Sequence, residues 1–213
     1  MEMFGNGHQL PWRYLVMSIL FYNRDGQTPV DESIRKDLIP DHINDMTELY
    51  ESEIENIALG IEWAKTTKKN HRDYFTWLEV HKHMFNDVWK FAGNTRKVEL
   101  NNPDFLMPYE ILPQLKDLQE NLIFWLENKT FDDRELMARV HERLLTIHPF
   151  KDGNGRWARL LVNMICEKQN IEVPSWGKEI KEDDKRRSIY ISAVKKARKD
   201  DDYAHLISIM YEK

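Results

Sequence analysis

Apolar residues recur at three- and four-residue intervals along most of the chain, and Pro, Gly, Asn and Asp reset that rhythm every few tens of residues. Behind Asp45 or Thr47 as a cap, Leu49, Ile54, Ile57, Ala58 and Ile61 form an apolar stripe that predicts one amphipathic helix. Phe75, Leu78, Met84, Phe85 and Val88 predict a second, ended by Gly93. "QLKDLQENLIFWLEN" and "DDRELMARVHERLLTIH" predict two more; the latter has Leu136, Met137, Val140, Leu144 and Ile147 on its core face and runs into Pro149. Helix resumes at "WARLLVNMICEK", and the tail reads as two helices parted at its Asp run. One stretch differs. Residues 94–113 alternate briefly and are then broken by Asn101-Asn102-Pro103 and two further prolines, which predicts a short hairpin or extended flap. "NRDGQTPVD" is a turn-rich connector, and "YLVMSILFY", residues 14–22, is too short to span a bilayer. That segment is expected to bury a helix or strand in the core, with a dimer contact as the lesser alternative.

Composition narrows the class. With 213 residues, 41% of them hydrophobic and 31% charged, the chain is expected to be one soluble globular domain or a domain with a short extension. A net charge of −5 argues against a general nucleic-acid binder. The basic run "KRRSIYISAVKKARK" is flanked by acidic residues, so a salt-linked helix is expected there. A single cysteine, Cys166, cannot form an internal disulfide, and no targeting segment is convincing at the start. The expectation is a cytoplasmic protein with no membrane and no nucleic-acid partner.

The chemistry concentrates in "HPFKDGNGRWAR", residues 148–159. Gly153 and Gly155 can take positive φ and let a ligand approach the backbone. The N–H groups that open the following helix, with the helix dipole behind them, make an anion site. Arg156 and Arg159 can add two guanidinium forks, and Asn154 can donate its amide. Asp152 is an oxygen ligand suited to Mg²⁺ bridging one carboxylate and phosphates, with Mn²⁺ as the alternative. His148 adds a group that takes a proton near neutral pH. Taken singly, a Gly-Asn-Gly turn, a His before Pro and two helix arginines are commonplace; in this order over twelve residues they point to a catalytic polyphosphate site. No lysine follows the second glycine, which excludes the P-loop. His141 and His148 lack the zinc-protease spacing, and His81 and His83, two apart, cannot easily share a metal. His141 is expected to be structural or to support His148.

At every specified position this stretch resembles the Fic motif, HPFx[D/E]GNGRxxR. Further segments, "FNDVWKFAG", "SWGK" and "YISAVKKARKDDDYAHLI" among them, resemble a bacterial subgroup known as mobile mystery protein B. The resemblance implies an all-α Fic-type helical bundle with a short β-hairpin flap near residues 94–106. It divides the chain into an extension, 1–44, packed on a Fic domain, 45–213. It implies an adenylyltransferase that moves AMP from ATP to a Ser, Thr or Tyr hydroxyl of a target protein and releases pyrophosphate. His148 would be the base and Asp152 the Mg²⁺ ligand. Gly153, Asn154 and Gly155 would form the anion hole, Arg156 would contact the phosphate chain and Arg159 the γ-phosphate. Arg96, Lys97, Val98, Glu99 and Leu100 would form the flap that docks the target protein by β-augmentation.

A second motif of the family, [S/T]xxxE[G/N] on an inhibitory helix, is approached by "ESEIENI", residues 51–57. Glu55 followed by Asn56 matches the final pair, whereas Glu51 stands where Ser or Thr is wanted. By this reading a helix over about 46–66 carries Glu55 onto Arg159 and blocks the γ-phosphate; the competing reading is that Glu55 is one charge on a solvated face. Two other functions stay open: phosphotransfer, as in Doc relatives, and a non-catalytic nucleotide-sensing module. A toxin-like role and homo-oligomerisation are compatible with each.

Overall fold

A computed structural model describes residues 30–176 and 184–211, and these are helical with no strand among them. The apolar stretch at 14–22 and the last two residues of "SWGK" lie outside the described residues. Among the described residues eight α-helices run in order: α1 (Glu32–Arg35), α2 (Met46–Thr66), α3 (Tyr74–Phe85), α4 (Ile111–Asn128), α5 (Asp133–Ile147), α6 (Asn154–Gln169), α7 (Asp184–Asp200) and α8 (Ala204–Tyr211).

Helices α5 and α6 are the axis of the bundle. Leu136, Met137, Val140, Leu144 and Ile147 are all buried on α5, which packs against α4, α6, α7 and α8. On α6 every residue from Trp157 to Cys166 is buried, so this helix sits inside the others and its polar members, Arg159 and Asn163, need internal partners. Asn163 accepts from Trp176 Nε1 at 2.9 Å. Each large aliphatic side chain so enclosed contributes about 1.5–3 kcal/mol.

Helix α2 starts where Asp45 caps it, its carboxylate accepting from Thr47 N and Glu48 N at 2.8 and 3.0 Å, a cap of about 1 kcal/mol. Its buried face is Leu49, Glu53, Asn56, Ile57, Gly60, Ile61 and Ala64, with Ile54 half-buried and Ala58 exposed. The expected stripe is therefore rotated, because Gly60 lets α3 come so close that a Cβ there would lie 2.7 Å from Met84 Cα. Likewise α3 buries Thr76, Trp77, Val80, His81, Met84 and Phe85, while Phe75 is 61% exposed. It ends at Phe85, and residues up to Gly93 form successive turns in place of the predicted longer helix.

The predicted β-hairpin at 94–106 is absent. Arg96 replaces its ladder: the guanidinium donates to Val98 O (Nη1, 3.1 Å) and to Leu106 O, tying the two ends of the segment through one side chain. Between them Asn102 makes local turns, its N–H reaching Leu100 O and its Oδ1 accepting from Asp104 N. Residues 30–44 lie across the bundle through an isolated antiparallel bridge, Leu38 to Trp89, with Ile39 N to Val88 O at 2.9 Å and Lys90 N to Asp37 O at 2.9 Å. Among the described residues no helix is long and apolar enough to cross a membrane.

Candidate active site

His148 ends α5 in the left-handed conformation, φ 47° and ψ 59°, and the chain turns there toward α6. Phe150 is the peg of the loop: fully buried, it stacks on His81 at 3.6 Å and meets Trp157 edge-on at 4.9 Å. Asn154 closes the loop with both atoms of its amide. Its Oδ1 accepts from Phe150 N and its Nδ2 donates to Phe150 O, each at 2.9 Å. One hydrogen of the amide expected to donate to an anion is thus used on loop geometry, and Asn154 also stands at the first turn of α6. Of the two glycines, only Gly153 has positive φ, at 78°; Gly155 is helical. A Cβ on Gly153 would lie 2.7 Å from the Phe85 ring, so this position is closed to side chains twice over.

Beside this loop lies a cavity of about 1100 Å³, bordered by His148, Asp152, Gly153, Gly155, Arg156 and Arg159 on one side. Ile34, Asp37, Leu49, Tyr50, Glu53 and Trp89, from α1 and the turn after it, α2 and the turns after α3, also line it. The Asp152 carboxylate is 62% exposed at the rim. Arg159 is 4% exposed and hydrogen-bonds Tyr190 of α7, whose hydroxyl meets His141 Nε2 at 2.6 Å. His141 supports Arg159 through Tyr190 and does not face His148.

His148 is held on three sides. Arg96 Nε donates to its carbonyl at 2.8 Å, Phe105 stacks on its ring at 3.6 Å, and Nδ1 lies 3.2 Å from Leu145 O. A carbonyl only accepts, so Nδ1 carries the hydrogen and Nε2 keeps the lone pair. Burial pushes its pKa down to about 4; the Leu145 bond opposes this, and Arg96 and Arg198 add to it. At neutral pH the ring is therefore uncharged and able to accept a proton.

The expected inhibitory contact is displaced. Glu55 is exposed and is not brought to Arg159. Glu53, on the buried face of α2, instead bonds Arg156 with both oxygens, at 2.8 and 3.2 Å, and accepts from Trp89 Nε1 at 2.7 Å. Arg156 also reaches Asp152 at 3.2 Å and lies 4.8 Å above the Phe85 ring. The missed signal was periodicity: position 53 is four residues from both Leu49 and Ile57, so it shares their face whatever its charge. Asn56, on the same buried face, bonds His83 O and the Asp87 backbone.

Arg96, expected on the docking flap, is turned inward. It is 5% exposed and its N–H donates to Pro149 O at 2.8 Å, so it clamps the segment to the motif. Lys97, Val98 and Glu99 are exposed and Leu100 half-buried. The basic stretch of α7 is salt-linked as expected, through Arg198 to Glu142, Lys195 to Asp104 and Lys196 to Asp202.

Residues 73–166 match the Fic/DOC family. The chain carries a Fic/DOC family domain. Within it, 94 residues are 36% identical to protein adenylyltransferase fic-1 of Caenorhabditis elegans, covering 41% of this chain and 18% of that protein. The protein adenylyltransferase VbhT of Bartonella schoenbuchensis is 25% identical over 135 residues, 61% of this chain and 28% of that one. The chain thus spans under a third of the length of these curated relatives. Among solved structures, the BepC protein of Bartonella tribocorum with bound AMPPNP superposes with a TM-score of 0.62 at 18% identity, covering 87% of this chain and 92% of that one. A fragment of Fic-1 from C. elegans gives a TM-score of 0.57 at 24% identity, over 74% and 48%. These likenesses show that the helical bundle is the Fic fold.

Proposed function

We propose that this Fic domain transfers AMP from ATP to a hydroxyl side chain of a target protein. One observation carries the reading: a neutral imidazole, an exposed carboxylate and two guanidiniums converge on a helix N-terminus beside one cavity. The naming of two similar proteins as adenylyltransferases supports it, as does AMPPNP in BepC.

In this reading the first turn of α6 and Arg159 receive the phosphates, with Arg156 added when it leaves Glu53. The target hydroxyl oxygen attacks the α-phosphorus, the bond from that phosphorus to the β-phosphate bridge breaks, and pyrophosphate departs. His148 Nε2 takes the hydroxyl proton. Its lowered pKa keeps it in the acceptor form, while phosphate charge close by favours the proton once transferred. Fixed N–H groups and guanidiniums stabilise the developing charge without having to reorganise.

Among the described residues no cluster of three His, Cys, Asp or Glu side chains could enclose a metal. A single exposed carboxylate fits Mg²⁺, which takes one or two protein oxygens and fills the rest with phosphate and water. Asp152 would hold it, and the ion would neutralise charge on the phosphates.

Regulation follows from Glu53. Its carboxylate occupies the Arg156 fork and places a negative charge at the cavity, so it opposes a polyphosphate twice. We assign to Glu53 the restraining role, with Lys97, Val98 and Glu99 as the exposed, extended segment available to a target. Residues 30–44 act as an extension laid on a unit that begins near 45. The test is product analysis by ³¹P NMR with Mg²⁺, ATP and lysate: pyrophosphate formation that disappears with His148→Ala supports the reading. ADP formation would move it to phosphotransfer.

A further inference from the structure

His81 is fully buried in α3, 67 residues before His148, and the chemistry above leaves it unused. Its ring lies against Phe150, 3.6 Å between centroids and 16° from parallel, and against Phe85 at 4.7 Å. Both nitrogens meet backbone. Gly93 N is 3.0 Å from Nδ1, and Nε2 is 3.0 Å from Asp152 O. An amide N–H can only donate and a carbonyl can only accept, so the tautomer is dictated: Nδ1 carries the lone pair and Nε2 the hydrogen. Burial holds the pKa down to about 3, with the Arg156 charge adding to the effect and the Asp152 bond opposing it, so the ring stays neutral.

The consequence reaches the loop through peptide geometry. In a planar trans peptide the carbonyl of Asp152 and the N–H of Gly153 point in opposite directions. Pinning the carbonyl inward on His81 turns the Gly153 N–H away from α3. The same bond fixes the backbone that carries the Asp152 carboxylate. Gly93, at the other nitrogen, immediately precedes the segment whose Arg96 grips His148 and Pro149.

We infer that His81 is a positioning residue: one neutral imidazole, donating to Asp152 O and accepting from Gly93 N, sets the register of the anion loop against the 94–106 segment. Its consequence for phosphate binding rests on the nucleotide reading above; its hydrogen-bond pattern does not.

Two substitutions separate positioning from filling space. In His81→Gln the terminal amide nitrogen can stand near the place of Nε2 and keep the bond to Asp152. In His81→Asn the amide oxygen stands near Nδ1 and keeps only Gly93. Both lose the ring stacking, so both lower Tm. AMPPNP with Mg²⁺, and AMPPNP alone, are titrated by calorimetry into the parent and both variants. His81→Gln is expected to bind within about threefold of the parent and His81→Asn to lose about tenfold or more, the larger loss with Mg²⁺ present. In the parent, long-range ¹⁵N–¹H spectra should show the Nε2–H tautomer from about pH 5 to about pH 8, and the Gly93 amide should exchange slowly. Equal affinities in the two variants, losses that simply track Tm, or an Nδ1–H tautomer would overturn the inference. If the parent binds no AMPPNP the nucleotide reading fails, and the tautomer and the Gly93 amide still decide the role of His81.

Discussion

The two walls of the cavity are held together over very different distances along the chain. From His148 to Arg159 the wall closes on itself: the Phe150 peptide and the Asn154 amide, four residues apart, make the reciprocal pair that shapes the loop. The facing wall is assembled from afar. Glu53 meets Trp89 across 36 residues and Arg156 across 103. The first wall takes its shape from its own order of residues, while His81 and Arg96 fix where it sits. A remote wall depends on which face each helix buries, and its contacts can be exchanged for a ligand's without undoing the fold. Chemistry is accordingly assigned to the first wall and restraint to the second.

The comparison is broken most severely by removing the base. His148→Ala is expected to lower label transfer by about 10²–10⁴-fold in a filter assay, with circular dichroism unchanged. Next in size is acid. His81 and His141 are both held near a pKa of about 3 by burial, below their ordinary value. The stability they lend is therefore intact above about pH 6.5 and is lost as pH falls toward about 3, amounting to about 4 kcal/mol together between pH 7 and pH 5 in urea titrations. Gly153→Ala should cost about 2 kcal/mol by the same titration, because the local wall has no slack against Phe85.

The remote wall predicts the opposite sign. Glu53→Gln removes the charge but keeps polar atoms for Trp89 and Arg156, and transfer should rise about tenfold under limiting ATP. Glu55→Gln, on the exposed face of α2, should change neither transfer nor stability by more than about 0.5 kcal/mol. An activating Glu55→Gln beside a silent Glu53→Gln would reverse the assignment.

The same division explains what the sequence disclosed. The motif wall was legible because its information is local: a left-handed glycine and a helix start are properties of neighbouring residues. Even there the Asn154 side chain has a structural part that no residue pattern announces, since capture of the Phe150 peptide is visible only in three dimensions. The helical bundle was legible from periodicity, but the facing wall was not. A glutamate at position 53 reads as one charge among many until Leu49 and Ile57 are seen to share its face. Arg96 reads as a strand residue until its guanidinium is found gathering carbonyls. His81 was weighed only as a metal ligand, and the bonds that define it run to backbone atoms that no residue pattern announces.

The most direct measurement is the position of the label. Parent protein, Glu53→Gln and His148→Ala are each incubated with Mg²⁺, lysate and ATP labelled at either the α- or the γ-phosphate, and protein-bound label is counted. The account predicts label from α-ATP only, greatest with Glu53→Gln and absent with His148→Ala. Label from γ-ATP alone, or α-label that survives His148→Ala, would contradict it.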